Sequence, residues 1–470
     1  MPSIPSTHLR NVPVVPARRL VPAALPKHGA AFGVFLLVNA FLFVRPSDIY
    51  APLGGVEIYQ YVIGLCLLLS LPALIELVSG DRLATTPVAV CLLGLFPIIC
   101  ASGMVNLGPE GAFDHALIFA KILAYFFLLL ALVTTPTRMK VFVAFLVFFA
   151  GIMATLSLLD FYEVITLPRP TMIDGKVAEF ERDRIYGPGL FGDPNDLCTI
   201  LVTMLILTLG LLTDSRAGSP RVLWLIPAAL LAFGFALTQS RGGLLALMAG
   251  MGVFIRLRFG WGRAIALGAL GFPLLLLALG GRQTAISAQT NTASERIQLW
   301  STGLEMFRAQ PILGVGLDQF KAQKGNPARL LAHNTYLQSF AELGFMGATL
   351  FIGAALLSVY GLYRLTLPRR DAGQLVPITP VLIDPTLRHY HPYVAGAVTA
   401  YCASMFTLSL NLLVSTYTIF GLAAAFLSMS ATNPPRVALR FGFELLFRLM
   451  VFAGLVFVAL YLFVRATFSA

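Results

Sequence analysis

Arg241, Arg296 and His333 are the side chains whose types and settings suit chemistry best. Arg241 sits in Gln239-Ser240-Arg241-Gly242-Gly243, a tight turn between two apolar runs. So short a turn holds the guanidinium at or near a membrane surface. A guanidinium fork suits a phosphate or diphosphate; snorkelling to lipid head groups is the other reading. Lys121, six residues inside another apolar run, either snorkels or reaches the same anion. His333 stands at the start of a long run, with Asn334 able to cap its helix. An imidazole near its ordinary pKa takes up or gives up a proton near neutral pH. Glu342 follows nine residues later, roughly 900° of rotation and 13 Å of rise along a helix. It therefore points away from His333 and needs its own partner in a membrane. Asp193-Pro194 reads as an N-cap with proline at N1. Asn195 follows, and Asp196, inside an apolar helix, either balances an arginine or orients a sugar.

The elements that must hold these residues are membrane helices. Of 470 residues, 57% are apolar and 12% charged, about half the charge of a soluble protein at roughly 25%. Thirteen helices of about 20 residues would use about 260 residues. This excludes a soluble globular enzyme, a coiled coil and a disordered chain. The long continuous runs also exclude a transmembrane barrel, which alternates in segments of about ten residues. We count thirteen apolar runs, the first at 30–44 and the last at 441–464. Those at 30–44, 243–255 and 417–430 are short, so twelve spans is the alternative. Residues 1–29 are rich in proline and arginine and read as a disordered cytoplasmic tail rather than a cleavable signal.

Charge sets the orientation. With the N-terminus inside, 18 basic residues fall in the tail and inner loops, while the short outer segments hold only Arg45, Arg241 and Arg465. The net charge of +11 thus belongs to the membrane rather than to nucleic acid. Two long outer loops, 161–189 and 281–334, carry ten more basic residues, an outward positive field for an anionic substrate or for solvent and head groups. In the second loop Thr292-Ala-Ser-Glu295 fits a capping box. Ile297, Trp300, Leu304 and Phe307 then recur at helical spacing, which predicts an amphipathic surface helix. Pro311 ends it and Gly314-Val-Gly316 turns the chain.

No P-loop, dinucleotide fingerprint or H-E-x-x-H is present, so nucleotide-driven chemistry is not expected. The five cysteines form no C-x-x-C pair and suggest neither disulfide nor zinc. No metal and no cofactor is expected. His389-Tyr390-His391 reads as part of a solvated inner loop.

His333-Asn334, nine residues and then Gly344-Phe-Met-Gly347 resembles the H-N-x9-G-x-x-G signature of the O-antigen ligase and O-antigen polymerase superfamily. Arg296-Ile-Gln-Leu-Trp300, Pro311-Ile-Leu-Gly314-Val-Gly316, Arg241-Gly-Gly-Leu-Leu245 and Asp193-Pro-Asn195 are similar to further segments of it. The resemblance spans about residues 187–351. It implies an all-α polytopic membrane protein of the C-type membrane glycosyltransferase kind, with 12–13 transmembrane helices. Residues 30–280 would hold nine of them, 281–335 the large periplasmic loop with short helices, and 336–470 the rest. The implied activity is transfer of a glycan from undecaprenyl diphosphate to an acceptor hydroxyl, at the periplasmic face of a bacterial inner membrane. The acceptor would be lipid A core in a ligase, or a second glycan in an O-antigen or exopolysaccharide polymerase. The implied enzyme is metal-independent and inverting. By the same resemblance Arg241 and Arg296 hold the diphosphate and His333 is the base on the acceptor hydroxyl, or orients it. Lys121, Asp193, Asn195, Asp196, Asn334 and Glu342 are the candidate substrate-binding residues. A lipid-linked glycan transporter is the rival reading; it calls for paired discontinuous helices, and the sequence offers no convincing internal repeat.

Overall fold

The computed structural model describes residues 27–45, 58–79, 83–167, 172–173, 176–177, 183–279, 291–323, 330–368, 379–436 and 439–468. Most of the N-terminal tail and parts of the long loops, with Arg169, Arg182, Arg282, Lys324 and Arg329, lie outside them. Thirteen α-helices carry the described chain: α1 (Gly29–Phe43), α2 (Ile58–Ser79), α3 (Pro87–Leu132), α4 (Pro136–Phe161), α5 (Pro194–Leu212), α6 (Leu225–Thr238), α7 (Arg241–Phe259), α8 (Trp261–Leu279), α9 (Asn291–Ala309), α10 (Thr335–Arg364), α11 (Pro385–Ser404), α12 (Val414–Met429) and α13 (Phe443–Phe468). The strands are two-residue pieces, paired Met172–Ile173 with Lys176–Val177 and Val381–Leu382 with Thr432–Asn433. The protein is an all-α polytopic membrane protein.

Every apolar run overlaps a helix, although the run at 394–413 leaves helix after Ser404, and α9 covers the segment predicted as an amphipathic helix. Among the described residues eight helices are long and apolar enough to cross a membrane, fewer than the twelve or thirteen expected. Two apolar helices are short (α1 and α12), and the third and fourth runs share α3. As one rod α3 would measure roughly 69 Å, more than twice the hydrocarbon thickness of about 30 Å. It is not one rod. Gly108 breaks it at φ 75°, ψ −177°, and the chain folds back so closely that a side-chain carbon on Gly103 would sit 2.7 Å from Ala112 Cα.

α10 breaks in the same way at Gly344 (φ 62°, ψ −168°). The turn after α9 supplies what the break leaves open. Gly314 and Val315 stand against the open turn, and the amides of Val315 and Gly316 donate to the carbonyls of Ala341 and Glu342 at 3.0 Å each. Phe345 N in turn donates to Pro311 O at 2.8 Å. A side-chain carbon at 344 would lie 2.3 Å from the Ile312 carbonyl, so position 344 needs both the left-handed backbone and the missing side chain. The leg beyond Gly344 is about 20 residues, roughly 30 Å, and spans by itself. The first leg, Thr335 to Leu343, is buried within the protein beside α9. The side chain of Asn106, in α3 just before its own break, donates to Gly314 O at 2.9 Å, so both broken helices meet the same turn.

One sequence expectation is corrected. His389-Tyr390-His391 is not solvated loop but the first turns of α11, which Asp384 caps through Thr386 N (2.8 Å) and Leu387 N (2.9 Å). His391 is buried and donates to Leu362 O at 2.7 Å; His389 donates to Gly210 O at 2.8 Å. The polar start of α11 hid it from a reading based on apolar runs, although Asp384-Pro385 is the same start signal as Asp193-Pro194.

Candidate active site

The start of α5 forms as its sequence predicts. Asp193 is the N-cap and accepts from Asn195 N (2.7 Å) and Asp196 N (3.4 Å), with Pro194 in the first turn. Asn195 Oδ1 accepts from Arg184 Nη2 at 3.1 Å, and Arg184 Nε donates to Thr238 O, in the last turn of α6, at 2.9 Å. Arg184 thereby ties the first long loop to the start of α5 and the end of α6. Gln239, in the left-handed region (φ 49°), reverses the chain, and Ser240 caps α7 by accepting from Gly243 N at 3.2 Å. Arg241 is the first residue of α7 and is exposed. α7 starts tight against α5: a side-chain carbon on Gly243 would collide with Cys198 Sγ.

α10 starts beside them. Asn334 is its N-cap and accepts from Leu337 N at 3.1 Å. His333 precedes it in the left-handed region (φ 49°), half-buried, its amide donating to Ser409 Oγ at 3.0 Å. Thr335 donates from its amide to Met405 O (2.8 Å) and from its hydroxyl to Leu408 O (2.6 Å). The segment 405–413 also lines α7, since a side chain at Gly242 would strike Thr407. One connecting segment thus borders both Arg241-Gly242 and His333-Asn334.

α9 closes the group. Trp300 Nε1 donates to the carbonyl of Ala332, the residue before His333, at 2.9 Å. Arg296 is one turn earlier on the same helix face. Burial pushes its guanidinium below the ordinary arginine range; Asp193 opposes the shift, and the like charges of Arg184 and Arg241 add to it. An arginine so shifted is still a cation near neutral pH. Asp193, Arg184 and Arg241 therefore all lie within electrostatic reach of Arg296, and Trp300, one helical turn further along α9, bonds to the backbone next to His333. The N-termini of α5, α7 and α10 point their positive dipole ends into the same neighbourhood. Half-buried Asp196 lies on the first turn of α5, within electrostatic reach of Tyr401 on α11.

Two candidates have other settings. Glu342 is fully buried and its oxygens accept from Gln338 Nε2 (2.9 Å), Phe320 N (3.3 Å) and Asn411 Nδ2 (3.0 Å). These are the partners its position demanded, and they tie α10 to the neighbouring loops. Lys121 is exposed on α3. Arg184, one of the ten cations of the long loops, joins the site through Asn195 and Thr238, and no local spacing signals it.

Residues 226–352 match the family model described as O-antigen ligase. The similarity to the O-antigen ligase superfamily seen in the motifs is thus borne out over a stretch that contains Arg241, Arg296, His333, Asn334, Glu342 and Gly344. Lys121, Arg184 and the Asp193–Asp196 turn lie outside the matched residues. No curated protein matches the chain.

Proposed function

We propose that this membrane protein transfers a glycan from undecaprenyl diphosphate to an acceptor hydroxyl at the periplasmic face of the bacterial inner membrane, as an O-antigen ligase-type enzyme. The N-terminus is then cytoplasmic, residues 281–335 form the periplasmic loop, and the spans on either side hold the lipid-linked donor. The observation that carries the reading is the meeting of Arg184, Arg241 and Arg296 beside His333, within residues similar to a ligase family.

The chemistry follows from the charges. The acceptor oxygen attacks the anomeric carbon as the bond from that carbon to the diphosphate oxygen breaks. The electron pair leaves with the diphosphate, whose charge grows in the transition state. Arginines fixed in advance stabilise that state more than the ground state. Three helix N-termini add positive dipole ends without added side chains. The proton of the acceptor hydroxyl passes to His333, whose left-handed backbone and tie to Ser409 fix where the ring starts. Attack opposite the leaving group inverts the anomeric centre. No carboxylate pair of the glycosidase kind is needed, because the leaving group is already activated; nor is a metal.

The test is transfer in membranes supplied with lipid-linked donor. Arg241→Ala, Arg296→Ala and His333→Ala each lower the rate by roughly 100-fold or more, with normal insertion. Near-normal rates in all three would overturn the proposal. Deleting the gene separates the acceptors: a ligase leaves lipid A core without polymer, a polymerase shortens the chains or removes secreted polysaccharide.

A further inference from the structure

Arg241, Arg296 and His333 lie on or beside three separate helices, α7, α9 and α10, so their mutual placement depends on what joins those helices. Glu342 stands where the joints converge. It is 0% exposed on the first leg of α10, and both of its oxygens accept. Oε1 accepts from Gln338 Nε2 on α10 (2.9 Å) and from Phe320 N (3.3 Å), in the chain that continues α9. Oε2 accepts from Asn411 Nδ2 at 3.0 Å. The main chain of Glu342 takes part as well, its carbonyl accepting from Gly316 N at 3.0 Å. One residue thus joins α10, the turn beyond α9 and the segment 405–413.

Asn411 passes the tie onward. Two residues before it, Ser409 Oγ accepts from His333 N at 3.0 Å. Four residues before it, Thr407 packs against Gly242, the neighbour of Arg241. Thr335 holds the same segment from its other side. Its amide donates to Met405 O (2.8 Å), and its hydroxyl donates to Leu408 O (2.6 Å) and accepts from Leu410 N (2.9 Å). The segment is therefore clamped to α10 at Thr335 and at Glu342, about two helical turns apart. Thr407 and Ser409 fall between the outermost bonds of that clamp, those of Met405 and Asn411. A carboxylate suits the junction, because charge-assisted bonds to N–H groups are stronger than neutral ones. Fully buried, it offers a substrate no surface.

We propose that Glu342 is a positioning residue for transfer, which sets His333 against Arg241 and Arg296 through Asn411 and the turn beyond α9. The inference rests on the glycan-transfer reading above. A misplacement of about an ångström between reacting groups costs rate steeply. Loosening the junction therefore lowers kcat while the donor still binds, and KM stays nearly unchanged.

The experiment uses the full chain in membranes of a host deleted for its own copy, which supply the acceptor. Lipid-linked glycan extracted from the host is the titrated donor, and rates are normalised to folded protein. Glu342→Gln turns an amide N–H₂ toward groups that are themselves donors. Its kcat falls by roughly 10- to 100-fold, with KM within about twofold of wild type. Adding Asn411→Asp reverses donor and acceptor, the new amide donating to the new carboxylate, and restores kcat to within about fivefold of wild type. Asn411→Ala leaves Glu342 its other donors and lowers kcat by roughly tenfold; it decides alone if Glu342→Gln does not fold. An undiminished kcat in the single variants, a raised KM with kcat kept, or a double variant no faster than Glu342→Gln overturns the inference. Arg296→Ala is assayed beside them. If it is inactive while Glu342→Gln transfers normally, the inference fails and the glycan-transfer reading stands. No transfer by wild type overturns both.

Discussion

The two ends of the molecule treat positive charge in opposite ways. At one end Asp214, in the loop after α5, is 1% exposed and gathers Lys140 at 2.7 Å and Arg216 at 3.0 Å. Burial alone would raise its pKa, but the two cations outweigh it and hold the carboxyl well below the usual carboxylate range. At the other end the Arg296 guanidinium is pushed down instead, first by burial, with Arg184 and Arg241 adding to the shift and Asp193 opposing it. The first group is a carboxylate satisfied by two cations within the chain. The second is a buried guanidinium with like charges near it, a setting that an anionic substrate would relieve. Such perturbed groups cluster at functional sites more often than in scaffold.

The sharpest way to break this comparison is Arg184→Ala. It relieves Arg296 of one like charge but leaves Asn195 Oδ1 and Thr238 O without their donor, so the protein loses about 1–2 kcal/mol of stability, while transfer by the folded protein falls by roughly 100-fold. A variant with undiminished transfer would place Arg184 with the scaffold and leave Arg241 and Arg296 to act without it. Next, Gly344→Ala forces a side chain onto the Ile312 backbone and a left-handed residue into a helix break. We expect a loss of about 3 kcal/mol, read as a lowered unfolding midpoint in detergent. A midpoint unchanged within error would show that α10 does not need this break.

Asp214→Asn probes the satisfied end. The folded carboxyl has a lowered pKa, so its stabilisation is present above the unfolded value near pH 3.9 and is lost as pH falls below it toward the folded value. At neutral pH the variant should be about 1–2 kcal/mol less stable than wild type, with transfer by the folded fraction unchanged. The gap should close as acid is added; a gap that stays constant down to pH 3 would count against the ion pairs. The smallest effect is expected from Lys121→Ala. Exposed on α3, it should change transfer by no more than about fivefold, and a larger loss measured in membranes would bring it into the site.

Much of this was readable in the residues. Asp193-Pro194, Ser240 and Asn334 are cap residues just before apolar runs, and each caps the helix it announces, because capping is local chemistry between residues two or three apart. Arg241, Arg296 and His333 were singled out by residue type, turn length and motif. Arg184 was not, because its partners Asn195 and Thr238 are 11 and 54 positions away. Glu342 was correctly judged to need partners, yet two of the three, Phe320 and Asn411, come from distant loops.

The residues alone indicated membrane-spanning helices and where most of them start, since hydropathy and caps act over one or two turns. Only the folded arrangement decided that Gly108 and Gly344 break their helices against one shared turn, and that a histidine-bearing segment is buried helix. It alone set Arg184 beside Arg241 and Arg296. Those outcomes depend on backbone and side chains separated by tens to hundreds of residues, whose contacts exist only after the helices have packed.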